Sequence, residues 1–320
     1  MSSNGFKIIS GSSNIPLTDD ICSYILHEYD YPIKPVNTML TKFSDGESRV
    51  EINENLRGYH VFVIQSLSNP VNDNLIELCL ILDTLKRCNV SEVTVVNPFY
   101  GYARQDKKDK PRTPISAKMV ADIIQTCNLN RMVTIDLHSP QIQGYFNCPV
   151  DNLYASKVLL KHMPNYSSDE LVIVSPDKGG VERASYYSKK LNCGLAFCYK
   201  HRDKPNEIAE MRLIGDVSGK RCVIVDDMAD TCGTLVKCNN ILKEKGAKEV
   251  SAFVTHGVLS GNGYDNLNDS CIDTVNITNT IKLPDKVLKN PKFNVINVDE
   301  LISKCIVNIY EKKSVSELFV

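Results

Sequence analysis

The sequence predicts an α/β protein built from two doubly wound domains with parallel sheets. Short runs of apolar, often β-branched residues alternate along the chain with longer segments whose apolar residues recur at helical spacing. The order strand, helix, strand, helix, strand occurs twice, and polar loops follow the ends of the central strands. We expect a first domain at residues 1–150 and a second at 151–303, related by an internal duplication.

The first series of elements lies in the amino-terminal half of the chain. Leu75, Leu78, Leu82 and Leu85 recur at the intervals of one helix face, which predicts a helix packed on a sheet. The mainly apolar segments on either side have the length and composition of buried parallel strands. The predicted elements are the strand Val61–Leu67, the helix Asn74–Asn89, the strand Glu92–Phe99, the helix Ser116–Thr126 and the strand Met132–Leu137.

The second series repeats this order after residue 150. The run Val223-Ile224-Val225 is β-branched throughout, which favours a buried parallel strand, and Gly246 ends the helix that follows it. A further helix near Glu300–Lys312 has no assigned partner. The predicted elements are the strand Leu171–Ser175, the helix Val181–Leu191, the strands Leu195–Tyr199 and Cys222–Asp226, the helix Thr234–Lys245 and the strand Val250–Thr255.

The composition is that of an ordinary globular protein. Apolar residues make up 42% and charged residues 23%, and a net charge of −1 provides no field that would recruit nucleic acid or a membrane surface. No run of 18 apolar residues occurs, and the amino-terminal segment lacks the pattern of a signal peptide. The 12 cysteines form no C-x-x-C pair and lie mostly in apolar patterns, so we expect free thiols and a cytoplasmic location.

The most informative segment is the loop that follows the strand ending at Asp226. Its small and hydroxyl residues suit a phosphate, because backbone N–H groups around Gly233 and at the start of the next helix can donate to it. Asp226 and Asp227 have the wrong charge for a phosphate, but carboxylates accept hydrogen bonds from the vicinal hydroxyls of a sugar. The pattern therefore predicts a ribose 5-phosphate site. Its residues are Asp226, Asp227, Asp230, Thr231, Cys232, Gly233 and Thr234.

This loop resembles the phosphoribosyl-binding signature of type I phosphoribosyltransferases and of ribose-phosphate pyrophosphokinases. The alternative is an ordinary strand–turn–helix with two solvated aspartates, in which the apolar run, three Asp and T-x-G-T share their spacing by chance. The resemblance implies domains of the type I phosphoribosyltransferase-like fold. The loop by itself does not distinguish the two families.

A basic loop follows the strand that ends at Phe99. The segment from Arg104 to Arg112 contains five Lys or Arg residues and two Asp, which suits a polyphosphate, although a solvated charged loop has the same composition. The letters P-F-Y-G-Y-A-R-Q-D-K-K resemble the pyrophosphokinase pattern closely, and phosphoribosyltransferases lack it. The resemblance implies ATP contacts at Arg104, Gln105, Lys107 and Asp109.

Candidate metal ligands follow two other strands. Asp136 and His138 end a strand two residues apart and can face one side, although a lone His is also a common polar cap. The segment D-L-H-x-x-Q-I-Q-G-Y-F resembles the family segment in which the histidine meets Mg²⁺ on ATP, with Asn147 where some members have Asp. In the second loop, Asp177 can hold Mg²⁺ beside the ribose, and Lys178 stands where the family usually has Ala. The metal candidates are Asp136, His138, Asp151 and Asp177.

Two further segments acquire a role through the resemblance. The polar turn from Phe43 to Glu47 resembles F-S-[DN]-x-E, with which the family reaches the adenine of ATP from a neighbouring subunit; Phe43, Asp45 and Glu47 are the matching residues. Lys200 and Arg202 follow the strand Leu195–Tyr199 and match a Lys and an Arg that begin a mobile catalytic loop in the family. We therefore expect these two cations to be the catalytic residues.

The match extends from Ile8 to the tail and resembles a class I ribose-phosphate pyrophosphokinase. It implies transfer of the diphosphoryl group of Mg-ATP to the 1-hydroxyl of D-ribose 5-phosphate, with Mg²⁺ as cofactor, and the product would feed purine, pyrimidine and pyridine nucleotide synthesis. It also implies a homo-oligomer, expected as a hexamer, in which paralogous subunits can take part. The tail at 304–320 is expected to pack on the first domain.

The resemblance extends to regulation. The matching residues lie near a family site at which phosphate activates and ADP inhibits, and Arg and Ser are suitable donors for an anion. A tail that only packs on the protein is the alternative. The candidate effector residues are Arg57, Ser314, Ser316 and Phe319.

Two other functions compete with this interpretation. A phosphoribosyltransferase would need a base-binding hood and has no use for the loop at Arg104. A non-catalytic regulatory subunit would usually carry disturbed catalytic loops or long insertions. Neither disturbance occurs here, because the key residues are present at uninterrupted spacing; these are Lys200, Arg202, Asp226, Asp227 and Thr231.

Overall fold

A computed structural model describes residues 5–201 and 210–319 of the chain, except for the side chains of residues 200, 201 and 210. The chain forms two compact units. Unit 1 comprises Met1–Lys157, Thr280–Lys282 and Asn297–Val320, and unit 2 comprises Val158–Asn279 and Leu283–Ile296. The carboxyl-terminal segment therefore belongs to the same unit as the amino-terminal half.

Unit 1 contains a five-stranded parallel sheet and a separate antiparallel hairpin. The strands in chain order are β1 (Phe6–Ser10), β2 (Thr38–Lys42), β3 (Ser48–Ile52), β4 (His60–Ile64), β5 (Glu92–Asn97), β6 (Arg131–Ile135) and β7 (Val150–Leu153). The sheet has the order β1-β4-β5-β6-β7, and β2 pairs with β3 alone. Every residue of β4 is buried, as expected for a parallel strand that is covered on both faces.

Helices cover this sheet with the apolar stripes that their sequences predict. They are α1 (Ile15–Tyr29), α2 (Val71–Arg87) and α3 (Ser116–Thr126). Leu78, Leu82 and Leu85 of α2 are buried in one core with Val93 and Val95 of β5. The predicted leucine stripe is therefore the contact face of α2.

In the part of unit 2 that the structure describes, seven strands form one sheet in which only one pairing is antiparallel. Its helices are α4 (Ser156–His162), which begins in unit 1, α5 (Val181–Leu191), α6 (Gly233–Glu244), α7 (Gly263–Asn268) and α8 (Asp285–Leu288). Its strands are β8 (Leu171–Ser175), β9 (Gly194–His201), β10 (Glu210–Ile214), β11 (Arg221–Ala229), β12 (Glu249–Gly257), β13 (Thr274–Thr278) and β14 (Phe293–Ile296). The sheet order is β10-β9-β8-β11-β12-β13-β14, and only β9 and β10 run antiparallel within it.

The last helix, α9 (Asp299–Tyr310), packs in unit 1. The Ser303 hydroxyl donates to the Ile21 carbonyl of α1 at 3.3 Å, and the Tyr310 ring lies 4.7 Å from the ring of Phe6. Among the described residues no helix is long and apolar enough to cross a membrane.

The predicted α/β fold class with parallel sheets is confirmed. Three predicted elements have the observed bounds, namely Ser116–Thr126, Leu171–Ser175 and Val181–Leu191. The strand predicted to end at Asp226 instead continues to Ala229, because Met228 and Ala229 still pair with His256 and Gly257 on β12. The hairpin of β2 and β3 was not predicted, since its half-exposed strands lack a long apolar run.

Candidate active site

The strand order of unit 2 reverses between β8 and β11. These strands lie side by side, although α5 and β9 separate them along the chain. Open α/β sheets bind ligands outside the carboxyl ends of their strands at such a reversal. Asp177 lies in the loop that leaves β8, and residues 226–234 span the end of β11, the loop after it and the start of α6. The topology therefore brings the two sequence-predicted segments to one edge of the sheet.

The segment between β11 and α6 is a tight loop that leads into a helix N-terminus. Cys232 has φ of 64°, a left-handed conformation, and α6 begins directly after it at Gly233. The first N–H groups of α6 and its dipole are therefore directed toward this loop, as in anion sites at helix N-termini. The Thr231 carbonyl accepts a hydrogen bond from Asn266 Nδ2 at 2.8 Å, which supports the loop from α7.

Asp230 and the two threonines complete the predicted ribose 5-phosphate segment. A side chain at Gly263 would place its Cβ 2.1 Å from the Asp230 carbonyl oxygen, so glycine is required where α7 approaches the loop. Thr231 is exposed, whereas Thr234 and Asp230 are half-buried. The structure therefore brings all seven predicted residues of this segment into one loop with its flanking strand and helix.

The two adjacent carboxylates face a cation that the sequence analysis missed. Nη1 of Arg183 on α5 lies 3.5 Å from Oδ1 of Asp226 and 3.2 Å from Oδ1 of Asp227. Burial, and then the charge of Asp227, raise the pKa of Asp226 well above its ordinary value, and Arg183 acts in the opposite direction. The sequence signal that could have identified Arg183 is its position three residues after Gly180, one helical turn beyond the Asp177 loop.

The Asp177 loop forms the start of α5. Oδ1 of Asp177 accepts the N–H of Gly180 at 3.0 Å, and a Cβ on Gly180 would lie 2.7 Å from the Ser175 hydroxyl oxygen. The Lys178 ammonium lies 5.4 Å from the centre of the Tyr199 ring, in a cation–π contact. The extra cation at this position is therefore held against β9.

In unit 1, the loop at Arg104 is anchored at its centre and exposed at its charged positions. The Gln105 carbonyl accepts the N–H of Ala117 at 3.2 Å, and its side-chain oxygen accepts from the Ser116 hydroxyl. Gln105 thus ties the loop to the first turn of α3. The exposed residues of this loop include Arg104, Lys107 and Asp109.

The turn after β6 presents His138 at the surface. Asp136 is buried and has φ of 43°, a left-handed conformation that is uncommon outside glycine. Its N–H donates to the Leu153 carbonyl at 2.9 Å, and the N–H of Leu137 donates to Oδ1 of Asn152 at 3.0 Å. Asn152 is a second residue that the sequence analysis did not single out, because nothing in its local pattern marks it.

Asp151 does not lie with Asp136 and His138. It pairs with Val133 near the middle of β6, and its carboxylate accepts a hydrogen bond from Arg131 at the amino end of that strand. We therefore leave Asp151 out of the proposed metal site, because Arg131 already neutralises its charge.

The remaining metal candidates suit a magnesium ion that the protein holds only in part, with water and substrate completing its coordination. No group of three or more His, Cys, Asp or Glu side chains that could hold a metal occurs within residues 5–201 and 210–319. Mg²⁺ usually takes one or two carboxylates from a protein and completes its octahedron with water and substrate phosphates. Asp136 and Asp177, each at the carboxyl end of a strand, fit this kind of binding.

The predicted adenine contacts lie at the tip of the β2–β3 hairpin. The N–H of Phe43 donates to the Glu47 carbonyl at 2.8 Å, and the N–H of Glu47 donates to Oδ1 of Asp45 at 3.1 Å. The Phe43 ring is 52% exposed at this tip, and Arg49 lies 5.7 Å from its centre. The hairpin therefore holds an apolar ring and two carboxylates at an exposed turn.

The two predicted catalytic cations cannot be placed in the same way. Lys200 is the penultimate residue of β9, and its side chain lies outside the described residues. Arg202 lies entirely outside them.

Two of the four predicted effector residues line a groove on unit 1. Ser314 and Ser316 border a space of about 860 Å³ together with residues at the amino ends of β4, β5 and β6, including His60 and Arg131. The Ser314 and Ser316 hydroxyl oxygens lie 3.0 Å apart. Arg57 and Phe319 are described but are not among the residues that line this groove.

Comparison with known proteins assigns the family. A model of the N-terminal domain of ribose phosphate pyrophosphokinase matches residues 6–127, and a model of the phosphoribosyl synthetase-associated domain matches residues 199–320. The ribose-phosphate pyrophosphokinase of Aquifex aeolicus is 48% identical, over 99% of both chains. Ribose-phosphate pyrophosphokinase A of Dictyostelium discoideum is 46% identical over 98% of this chain and 97% of the relative.

A solved structure shows the same fold. The phosphoribosylpyrophosphate synthetase of Mycobacterium smegmatis superimposes with a TM-score of 0.89 at 36% identity, covering 97% of this chain and 100% of that chain. The chain therefore has the α/β fold of that synthetase and is an enzyme that transfers diphosphate groups. It belongs to the ribose-phosphate pyrophosphokinase family.

Proposed function

We propose that this protein transfers the diphosphoryl group of Mg-ATP to the 1-hydroxyl of D-ribose 5-phosphate. The products are 5-phosphoribosyl 1-diphosphate and AMP, and the former supplies purine, pyrimidine and pyridine nucleotide synthesis. The observation that carries the proposal is the combination, at one reversal of strand order, of a phosphate-suited loop with the carboxylates of Asp226 and Asp227. One sugar that carries a phosphate and vicinal hydroxyls satisfies both features.

Ribose 5-phosphate is bound by hydrogen-bond donors at its phosphate and by carboxylate acceptors at its hydroxyls. The N–H groups at the start of α6 and the hydroxyls of Thr231 and Thr234 donate to its phosphate. The carboxylates of Asp226 and Asp227 accept hydrogen bonds from its 2- and 3-hydroxyls. Arg183 keeps the two carboxylates close together by neutralising part of their charge, which reduces their mutual repulsion.

ATP is bound by loops of unit 1. Arg104 and Lys107 contact its phosphates, while Gln105 holds this loop on α3. The adenine binds to the hairpin tip of a neighbouring subunit, at Phe43, Asp45 and Glu47. The exposed aromatic ring suits a base, and the carboxylates can accept its exocyclic amino group.

Asp136 and His138 of unit 1 would hold Mg²⁺ on the phosphates of ATP, and Asp177 of unit 2 would hold Mg²⁺ beside the ribose. When it is bound, Mg²⁺ neutralises phosphate charge and increases the electrophilicity of the β-phosphorus. The 1-hydroxyl loses its proton to water, and its oxygen forms a bond to that phosphorus as the bond to the bridging α-phosphate oxygen breaks. AMP leaves with that bridging oxygen. Lys200 and Arg202 stabilise the charge that develops on the transferring group.

The setting of this reaction is the cytoplasm, with no nucleic acid and no membrane among the partners. All 12 cysteines are free thiols, which supports a reducing compartment. The active form is a homo-oligomer, proposed as a hexamer, because the adenine contacts come from a neighbouring subunit. Phosphate as activator and ADP as inhibitor act at the site that includes Ser314 and Ser316.

The ribose assignment is tested by Asp227→Asn, which keeps the shape of the side chain but removes its charge. Loss of one charged hydrogen bond costs roughly 1.5–3 kcal/mol, which raises the KM for ribose 5-phosphate by about tenfold or more. The matched control is Asp265→Asn on the exposed surface of α7, which leaves both KM values unchanged. AMP release from Mg-ATP and ribose 5-phosphate is the assay.

The outcomes of this assay distinguish the proposed reaction from the alternatives. If only the KM for ATP changes in Asp227→Asn, the diol assignment is wrong. If the wild-type protein releases no AMP, the proposed reaction is wrong. Consumption of 5-phosphoribosyl 1-diphosphate in the presence of a free base would instead identify a phosphoribosyltransferase.

A further inference from the structure

A row of buried polar side chains crosses the sheet of unit 1 near the carboxyl ends of its strands. Asn97 on β5 is the register partner of Thr134 on β6, which is the partner of Asn152 on β7. Neighbouring side chains of such a row point to one face, about 4.8 Å apart. The three residues are no more than 2% exposed. Toward the amino ends the same face is apolar, with Val95 and Met132 in the positions two residues earlier.

Asn152 differs from its two neighbours in touching a loop. Its Oδ1 accepts the N–H of Leu137 at 3.0 Å. Because a backbone N–H can only donate, this contact fixes the orientation of the amide, with the oxygen facing the turn after β6. Leu137 separates Asp136 from His138, so the hydrogen bond acts on the turn that carries the proposed ATP and Mg²⁺ contacts.

This turn requires support because its backbone is strained. The left-handed conformation of Asp136, with φ of 43°, costs on the order of 1–2 kcal/mol in a residue with a side chain. Two consecutive residues of β7 hold it in place. The Leu153 carbonyl accepts the N–H of Asp136 at 2.9 Å, and Asn152 accepts the next N–H along the chain.

An asparagine at position 152 does not stabilise the folded protein more than an apolar residue would. Nδ2 of Asn152, the Thr134 hydroxyl and both amide atoms of Asn97 are buried without a hydrogen-bond partner among the described protein atoms. Each buried polar group left in this state costs about 1–3 kcal/mol, and leucine at position 152 would have the same branched side-chain skeleton without that cost. The contact with Leu137 is what an apolar residue would not supply.

We infer that Asn152 is a positioning residue for nucleotide binding. Through the N–H of Leu137 it holds Asp136 in the left-handed conformation and directs His138 toward the phosphates of ATP. This inference rests on the proposed function, because it takes ATP as the ligand of the turn. Asn152 itself touches neither the nucleotide nor the reacting atoms.

The test compares three single substitutions in one buried row. Asn152→Leu removes the acceptor, Asn152→Asp keeps one in the same place, and Thr134→Val removes an adjacent polar group that makes no contact with the turn. Calorimetric titration with ATP in EDTA, without ribose 5-phosphate, measures binding independently of turnover. Steady-state KM values with Mg²⁺ and the thermal midpoint of unfolding, Tm, complete the comparison.

Asn152→Leu is expected to weaken ATP binding by about tenfold or more, as is usual when a residue that orients a ligand-contacting group is removed. Its KM for ribose 5-phosphate should stay within about twofold of wild type, since the change acts on one substrate. Asn152→Asp should restore most of the ATP affinity, and Thr134→Val should leave it unchanged.

The inference is overturned if Asn152→Leu binds ATP as the wild type does, or if Thr134→Val weakens binding equally. In the second case the row would act only through the stability of the sheet. If Asn152→Leu does not fold, Asn152→Ala replaces it, with the same expectations. Loss of AMP release by the wild-type protein would instead contradict the proposed function, so the two failures are distinguishable.

Discussion

The carboxylate of Asp226 is a strongly perturbed group among the proposed substrate contacts. Burial and the neighbouring Asp227 raise its pKa well above the ordinary value of 3.8, and Arg183 offsets only part of this effect. A buried carboxylate with a raised pKa destabilises the folded state once it ionises. The ribose site is therefore held at a cost in stability that its ligand can relieve by hydrogen bonding.

This cost has a pH dependence of known sign. The folded-state pKa of Asp226 lies above its unfolded value of 3.8, so stability is lost as pH rises from that value through the folded pKa. Asp226→Asn cannot ionise, and Asp227 remains to pair with Arg183, so the variant should have the higher Tm at neutral pH. The gain should disappear as pH falls toward 4. Thermal unfolding from pH 4 to pH 8 measures it.

Asp265→Asn on the exposed face of α7 is the control for this prediction and should change Tm little at any pH. A variant Asp226→Asn that is less stable than wild type at pH 7 would show that its charge is stabilising, contrary to the direction of the pKa shift.

Lys200 is expected to act on chemistry rather than on binding. A cation that meets the transferring diphosphoryl group stabilises charge that develops in the transition state, so Lys200→Ala should lower kcat by about 10²-fold, with KM values changed little. The control is Lys189→Ala at the exposed end of α5, which should retain the wild-type kcat. A near-normal kcat in Lys200→Ala would make Lys200 a solvated neighbour of the site.

Among the helices and strands, the sequence predicted those that apolar periodicity marks and those that end in a cluster of polar residues. The leucine stripe of α2 and the β-branched run in β11 both became core, because burial of apolar area determines which face of an element packs. The segment at residues 226–234 could be proposed as a site from the sequence because its donors and carboxylates are contiguous in the chain.

The residues that were missed act across elements. Arg183 reaches the carboxylates from α5, and Asn152 reaches the turn after β6 from β7; neither contact has a signature at its own position. The same reason explains why the sequence suggested Asp151 as a metal ligand. Its pairing with Arg131 depends on the register of β6 and β7, which the sequence does not show. Single-sequence reasoning identifies donors and acceptors, and the tertiary register decides which of them meet.

The tail offers a prediction at this scale. Asn308 of α9 donates to the Ser314 carbonyl at 2.9 Å, which fixes the start of the tail beside the groove that Ser314 and Ser316 line. Deleting residues 314–320 should change the activation by phosphate more than it changes the KM for ATP. Activity measured over a range of phosphate concentrations tests this, and an unaltered phosphate response would exclude the tail from the effector site.

At the scale of the whole molecule, the proposed adenine site requires a second subunit. Phe43→Ala and Lys200→Ala should each be nearly inactive, but mixed and reassociated subunits should recover activity, because a hybrid contains sites that lack neither residue. Light scattering should show an oligomer under assay conditions. An active monomer, or mixtures no more active than the separate variants, would contradict the shared site.

In the proposed reaction the β- and γ-phosphates move together from ATP to the sugar. Incubating the purified protein with Mg²⁺, ribose 5-phosphate and ATP that carries ³²P at the β-position tests it most directly. We expect the label to leave the adenine nucleotides and to appear in a sugar 1-diphosphate, together with an equal amount of unlabelled AMP. Label that stays in ADP would show that only the γ-phosphoryl group is transferred, and the proposed diphosphoryl transfer would be wrong.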